Sequence, residues 1–354
     1  MMRNNTKKLF TGYVDRIAQL NNVAAEDVKE GFSVEPTAEQ KLVDKITLSS
    51  DFLQRINVIS VTNQIGERIG LSVANAIAST TDTDGKERET KSISQLDSRK
   101  YHCESVNFDT HISYQLLDQW AKFPDFQTRL AKQTQKTIGL NLIMMGFNGT
   151  SRSENSDLSR NKLLQDVKKG FLQKIREEAP LKVMDGKNSE NKIKVGKGQG
   201  TGEDAKGYEN LDALVFDATN KIIAEEYADD TELVVICGRN ILADKYFQMI
   251  NKTNQPTEEL AGQVILSQKQ IGGLKAIRVP YFPANSMLIT RLDNLSIYLQ
   301  EGSLRRAIIN NPKRNRIEDF ISKNIDFIVE NYDCAALIEN IVFEDKAVAD
   351  TSEH

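Results

Sequence analysis

The stretch from Tyr114 to Thr150 constrains this chain more than any other, because it alone combines long helical periodicity with a start signal and a stop signal. Phe126, Leu130, Ile138, Leu142 and Met145 recur at spacings of three, four or multiples of four, so they form one apolar stripe with Thr134 and Thr137 in its middle. Pro124 can open the helix at its first position, and Gly146 or Gly149 can end it. From Asp125 to Phe147 such a helix runs about 34 Å, taking roughly 1.5 Å per residue. A beam of that length spans a domain, so the remaining elements must be arranged along it.

The chain of 354 residues has room for about two domains on a prior of roughly 150 residues each, and 39% hydrophobic content is enough for a real core. Forty-six basic residues stand against 50 acidic ones, a net charge of -4, so no overall basic field points to nucleic acid. Cys103, Cys237 and Cys334 are odd in number and far apart, which fits a reducing compartment and three small buried apolar residues better than a disulfide framework. No apolar run approaches the roughly 20 residues that cross a bilayer. Arg3, Lys7 and Lys8 are followed by no continuous apolar core, so neither a membrane span nor a secretory signal is expected.

Leu9, Phe10, Tyr13, Val14, Ile17 and Leu20 mark an amphipathic helix, set apart by the polar stretch Glu26 to Phe32 and then Pro36. Two readings stay open for it: a packed N-terminal helix, or an arm used in assembly and then removed. Thr37 to Phe52 predicts a second helix, with Thr37 as cap and Gln40 completing a capping box. From Ile56 to Ala78, alternation at Ile56, Val58, Ile69, Leu71 and Val73 predicts strands. Asp82 to Lys100 follows with ten charged residues among 19, too polar for a core, so it should project as a long hairpin.

Beyond the long helix, Leu163 to Glu178 predicts a helix closed by Pro180, and the Gly- and Lys-rich Asp185 to Gly207 a linker or surface loop. A second composition begins near Tyr208. Leu211 to Tyr227 and Ile241 to Ile250 predict helices around a buried strand, Leu233 to Cys237. Gln263 to Ser267, Ala276 to Val279, Met287 to Thr290 and Ser296 to Leu299 read as short strands, with Gly272-Gly273 as a turn. Arg316 to Phe343 alternates apolar and polar residues, and Glu344 to His354 reads as a frayed end.

Sites for chemistry are scarce. Asp82-Thr83-Asp84-Gly85 starts like a calcium loop but lacks the later ligands, so it reads as turn chemistry. His102 and Cys103 are adjacent on a strand and face opposite sides, so with His111 they make no metal set. The glycines from Gly196 to Gly202 fit neither phosphate-binding pattern. No nucleophile and base combination is apparent, and pairs such as Glu225-Glu226 and Asp229-Asp230 are explained by solvation. No catalytic, cofactor-binding or metal residue is expected.

Several blocks taken in order carry a resemblance. They are SSDFLQRINV (Ser49 to Val58), IASTTDT (Ile77 to Thr83), LDQWAKFPDFQ and MMGFNGT at the two ends of the long helix, and LLQDVKKGFLQKIREEAP (Leu163 to Pro180). GRNILADKYF (Gly238 to Phe247), VPYFPANSMLITRLDNLSIY (Val279 to Tyr298), NPKRNRIEDF and IDFIVENYDCAALIENI complete the set within Asn311 to Ile341. Together they resemble the major capsid proteins of tailed bacteriophages, in the peduovirus branch of temperate phages with contractile tails. The resemblance covers nearly the whole chain.

It implies an α+β fold of the Hong Kong 97 type. The implied divisions are an N-terminal arm at 1–32, its remainder at 33–64, an extended hairpin loop at 65–108 and a peripheral domain with the spine helix at 109–207. An axial domain at 208–316, return strands at 317–343 and a tail at 344–354 complete them. The implied function is a head protein forming hexamers and pentamers of an icosahedral shell around double-stranded DNA, first as a precursor shell that later expands. A tail or scaffold protein, or an α/β enzyme, are the competing readings. Implied partners are other copies of the chain, a scaffolding protein, a maturation protease, the portal and the enclosed DNA, with no membrane and no cofactor. The implied place is the virion, assembled in the cytoplasm of the bacterial host.

Three sets of residues follow from combining the resemblance with the residues themselves. Cutting of the arm is expected at Phe32 and Ser33. Asp82, Asp84, Lys86, Glu87, Arg88, Glu89 and Lys91 are expected to lie on a neighbouring subunit, with Lys86 or Lys91 as the amine should the hairpin be cross-linked. Gly139 is expected as a hinge in the spine, because glycine costs about 1 kcal/mol relative to alanine inside a helix. The cluster Arg305, Arg306, Lys313, Arg314 and Arg316 is read as a solvated or interface patch.

Overall fold

The computed structural model describes residues 2–67, 80–85, 87–88, 99–123, 125–187, 190–196, 207–241 and 270–343. In chain order, helix α1 (Asn4–Leu20), α2 (Asp27–Glu30), strand β1 (Phe32–Ser33), α3 (Pro36–Leu48), β2 (Asn57–Val61) and β3 (Ile65–Glu67) come before the charged stretch. After it come β4 (Lys100–His102), β5 (Glu104–Asn107), β6 (Thr110–Ser113), α4 (Tyr114–Trp120), the spine α5 (Phe126–Asn148) and α6 (Phe171–Glu178). Next are β7 (Val183–Met184), β8 (Ile193–Val195), β9 (Gly207–Tyr208), α7 (Leu211–Ile222), α8 (Glu225–Ala228), β10 (Leu233–Cys237), β11 (Gln270–Ile271) and β12 (Leu274–Arg278). The last are β13 (Met287–Arg291), β14 (Leu295–Gln300), β15 (Arg305–Asn311), β16 (Arg316–Val329), β17 (Ala335–Ile338) and β18 (Ile341–Phe343).

Two sheets organise these elements. The larger has seven strands in the order β1-β15-β16-β14-β2, with β5 and β6 also paired to β16. Strand β16 is its backbone: 14 residues long, it meets β15 and β6 along its first half and β14 along its second. The other main sheet has six strands in the order β11-β12-β10-β13-β17-β7. Every residue of β10 is buried, because this sheet is covered on both faces. Val234 and Ile236 join the core under the spine, while Leu233, Val235 and Cys237 join a second core under α7.

The spine ties these layers together. Leu130, Ile138, Leu142 and Met145 are buried as the periodicity requires, and Ile143 and Phe147 join them. Phe147 is the hub, with ring centroids 5.4 Å from Phe52, 5.7 Å from Phe171 and 5.0 Å from Phe282. Such tilted aromatic contacts contribute about 0.5–1.5 kcal/mol each beyond the area they bury. The helix ends where backbones cross: Gly170 N–H donates to Gly149 C=O at 3.0 Å, and a Cβ on Gly149 would fall 1.9 Å from the Lys168 carbonyl. Gly146 lies within the helix, so Gly149 is the stop; Pro124 lies outside the described residues.

Several expectations change. The helix expected from Leu163 begins only at Phe171, because the backbone before it is used elsewhere. The Gln165 carbonyl accepts from Thr150 N–H at 2.7 Å and Ser151 N–H at 3.0 Å, the Asp166 carbonyl from Ser153 N–H at 2.8 Å, and Leu164 takes a left-handed φ of 58°. The helix expected over Leu211 to Tyr227 breaks at Ile223 and Ala224, which are extended. Glu35, not Thr37, caps α3, with Pro36 in the first turn and no side-chain cap bond. The expected linker carries β8 and β9, which form a small parallel sheet with β18. The polar stretch before Phe32 contains α2, whose Val28 is fully buried.

Sheet membership also cuts across the expected divisions. Strands β14 and β15 lie in the large sheet with β16, although they precede residue 316, whereas β17 and β18 join the sheets of the α/β block. The expected helix beyond Ile241 and the expected strand at Gln263 to Ser267 lie outside the described residues, as do Ile69, Leu71 and Val73.

Candidate assembly surfaces

The hairpin base is visible. β3 and β4 pair antiparallel with Ile65 opposite His102, Gly66 opposite Tyr101 and Glu67 opposite Lys100, so the chain at Glu67 and at Lys100 lies side by side. Gly66 is needed there because a Cβ would fall 2.5 Å from the Tyr101 hydroxyl. The Tyr101 ring in turn meets Tyr298 of β14 edge-on at 5.2 Å.

Beside this base lies a cluster of buried charge. Asp326 of β16 accepts from the backbone N–H of His102 at 3.0 Å and from Lys174 of α6, and Lys168 stands 3.2 Å away. Lys168 also donates to Glu104 at 2.5 Å and to the His102 carbonyl at 2.8 Å. Arg152 closes the group, 3.3 Å from Glu104 and donating to the Ser105 carbonyl at 2.9 Å. Burial pulls the Lys174 ammonium below its usual range, and Asp326 opposes that pull. The cluster fixes β4 and β5 to the body, so a load on the hairpin is transmitted to β16 and α6. Sequence reading missed it, because Glu104, the segment with Lys168 and Lys174, and Asp326 are far apart in the chain. The one available signal was Asp326 itself, a charge between Ile325 and Phe327 in an apolar run.

Of the hairpin residues, Asp82, Asp84, Glu87 and Arg88 are exposed. Asp84 N–H donates to the Asp82 carboxylate at 3.1 Å, the turn chemistry read from the sequence. Lys86, Glu89 and Lys91 lie outside the described residues.

Phe32 and Ser33 are not in an open segment: they form β1, opposite Arg306 and Arg305 of β15. Phe32 is buried, Ser33 exposed, and the Ser33 hydroxyl accepts from Arg305 at 2.9 Å. The next residues are held as well. Val34 N–H donates to the Leu304 carbonyl at 3.0 Å, and Glu39 of α3 makes a buried ion pair with Lys323 while accepting from Gly302 N–H at 3.1 Å. A free edge of β1 borders a groove lined by Glu30, Asn107, Asp109 and Phe320.

Gly139 sits where α3 crosses the spine. A Cβ there would lie 2.7 Å from Ser49 Oγ and 3.4 Å from the Ile46 carbonyl, and the helix runs through it without a break. Close approach of two segments accounts for this glycine.

The basic cluster divides by partner. Arg306 pairs with Asp319 at 2.7 Å and Arg316 with Glu318 at 2.6 Å, leaving Lys313 and Arg314 on the exposed turn between β15 and β16. The three cysteines are buried and form no disulfide with one another, and burial pushes the Cys103 thiol up to about 12. His102 and His111 are exposed, and the described residues hold no group of three or more metal-ligating side chains.

A long spine under a large sheet, a clamped β3–β4 pair and an α/β block define a shell-forming subunit, with the α+β fold of the Hong Kong 97 type. The chain belongs to the family described as phage major capsid protein, P2 family, which it matches over residues 9–341. It is 49% identical over 347 residues to the capsid protein of Escherichia phage P2, covering 96% of this chain and 95% of that one. To the major capsid protein of Serratia phage KSP20 it is 39% identical over 350 residues, 97% and 98% of the two chains. Among solved structures it is similar to a chain of the satellite phage P4 procapsid, determined with the size determination (Sid) protein, at 46% identity and a TM-score of 0.79. That match covers 98% of this chain and 100% of the other. The chain is therefore a major capsid protein, and the tail, scaffold and enzyme readings give way to that membership.

Proposed function

We propose that this protein closes into hexamers and pentamers that tile an icosahedral shell around double-stranded DNA, by way of a precursor shell that later expands. The carrying observation is the antiparallel β3–β4 pair, which brings the two ends of the charged stretch together, and a sequence so polar supplies little core of its own. Head-to-tail interfaces of this kind close into rings when the rotation permits. The hairpin, with Asp82, Asp84, Lys86, Glu87, Arg88, Glu89 and Lys91, lies on a neighbouring subunit. Exposed ion pairs contribute only about 0–1 kcal/mol each, so the gain comes from repetition around the shell. The P4 relative is a procapsid chain, which supports a precursor stage.

Scaffolding protein, maturation protease and portal are the partners such a route requires, and the host cytoplasm is where it runs. The arm at 1–32 is removed by a cut beside Phe32 and Ser33. Spine and large sheet form the peripheral part, and the six-stranded sheet with α7 the axial part. Deleting Thr83 to Arg88 tests the reading: electron microscopy of particles made with the phage's other head proteins should show no normal closed shells, and normal shells would overturn the hairpin assignment.

A further inference from the structure

Helix α1 occupies a groove shaped for a helix. The groove is lined by Ile112 of β6, Leu117 of α4, Leu130 of α5, Ile308 of β15 and Ile317 of β16. Into it α1 places Phe10, Tyr13, Val14 and Ile17, at spacings of three, one and three that put them on one helical face, all below 10% exposure. Two polar contacts fix the register. At the start of α1, the Thr6 hydroxyl and the Arg3 N–H donate to Asp118 Oδ1 at 2.5 and 3.1 Å. Midway along, Arg306 donates to the Tyr13 hydroxyl at 3.0 Å while Asp319 holds the same guanidinium. Then α2 adds Val28, fully buried in the same core, and packs against β15.

All of these contacts reach residues from Asp109 onward by non-covalent bonds, so a cut beside Phe32 breaks none of them. The segment after the cut is anchored separately, by Ser33 to Arg305, Val34 to Leu304 and Glu39 to Lys323. A cut removes only the advantage of tethering, the high effective concentration of α1 at its groove.

We infer that residues 4–31 stay seated in this groove after the chain is cut: the groove is a binding site for the excised helix, and cutting and departure are separate events. This rests on the cleavage reading above. Recognition is of the helix-in-groove kind, with apolar anchors on one face and two polar contacts setting the register. Because Leu130 belongs to the spine while Ile308 and Ile317 belong to the large sheet, a relative movement of those two walls would open the groove and speed departure.

The test uses the full chain with a site-specific protease sequence inserted between the exposed Ala24 and the half-buried Ala25, in the turn before α2. After cutting, native size-exclusion chromatography with mass spectrometry of each peak should find the N-terminal fragment co-eluting with the body in equimolar amount. Tyr13→Phe in the same cut chain removes the acceptor of Arg306 and should speed loss of the fragment about tenfold. A fragment eluting alone from a body that keeps its circular dichroism overturns the inference. So does a Tyr13→Phe fragment that leaves no faster. An insertion between Glu30 and Gly31 serves if the first disturbs folding, and it tests α1 and α2 together. Mass spectrometry of mature particles reads the natural cut separately: an uncut chain there refutes the cleavage reading, whereas the engineered cut still measures the groove.

Discussion

Lys174 Nζ lies 3.0 Å from both carboxylate oxygens of Asp326, in a cluster where the side chains of Lys174, Lys168 and Asp326 are 13%, 6% and 2% exposed. Removing one partner of a buried pair strands the other charge, at a cost of about 3–5 kcal/mol. Asp326→Asn keeps the shape and an acceptor for His102 N–H but leaves the two ammonium groups without the carboxylate nearest to both, with Glu104 beside Lys168 and the field of Glu178 on Lys174 remaining. We expect it to lower stability to urea by about that amount, and hydrogen exchange at β4 and β5 to quicken first. An unchanged urea midpoint would show that the cluster does not hold the hairpin base.

Gly139 offers a choice between hinge and close approach. Alanine there gains about 1 kcal/mol of helix propensity but displaces Ser49 Oγ from its hydrogen bond to the Ile46 carbonyl, a loss of about the same size. Gly139→Ala should therefore be close to neutral in urea unfolding. In a Ser49→Ala background, where the clash is gone, it should stabilise by about 1 kcal/mol. If shells of both variants assemble and expand normally, the glycine is there for packing; failed expansion with unchanged stability would restore the hinge.

Acid should loosen α1 before the core. The Thr6 hydroxyl, helped by the Arg3 backbone and opposed by desolvation, holds the Asp118 carboxyl below its usual 3.8. A depressed carboxylate contributes stability that is complete above the unfolded value and lost as pH falls through the folded one. The contribution is thus present above about pH 3.8 and disappears below it. Trp120, the single tryptophan, lies two residues from Asp118 and its fluorescence should report the step. Thr6→Ala should move the midpoint up toward 3.8, and an unmoved midpoint would exclude Asp118 as the group responsible.

Cys103 is fully buried, and desolvation, with Asp326 adding to it, pushes its thiol up to about 12. The thiolate is the reactive form. At pH 8 a disulfide reagent should therefore leave Cys103 unmodified in the native protein, and modification in urea should follow the unfolding transition. Reaction at the rate of the denatured chain would contradict this burial.

The sequence made the spine, β10, β13, β14 and the turn at Gly272-Gly273 legible because their signals are local: an apolar stripe, an apolar run, two glycines. Both glycines do take positive φ, 59° and 82°, between β11 and β12. Strand β15 escaped, since RRAIINN has only three apolar residues in a row and is extended because all seven of its residues pair with β16. The helix expected from Leu163 failed for the converse reason: its periodicity is real, but Gln165 and Asp166 are bound to the loop after the spine. Nor could the charge cluster be seen, since four segments must fold before its members meet. The meeting of β3 and β4 agrees with a hairpin read from composition, while the resemblance, not the spacing, supplied the use proposed for it.

Between Leu130 and Phe147 the spine is an unbroken rod of about 25 Å. One end forms a wall of the α1 groove, and the other end meets Phe282 and Phe171. A rod held so acts as a lever: a tilt of about 10° about its midpoint carries the two tips by roughly 2 Å each, in opposite directions. Gly139 stands midway with Ser49 against it, so α3 serves as the bearing on which such a tilt would turn. Slack at the bearing and travel at the tips are thus set by the same few atoms.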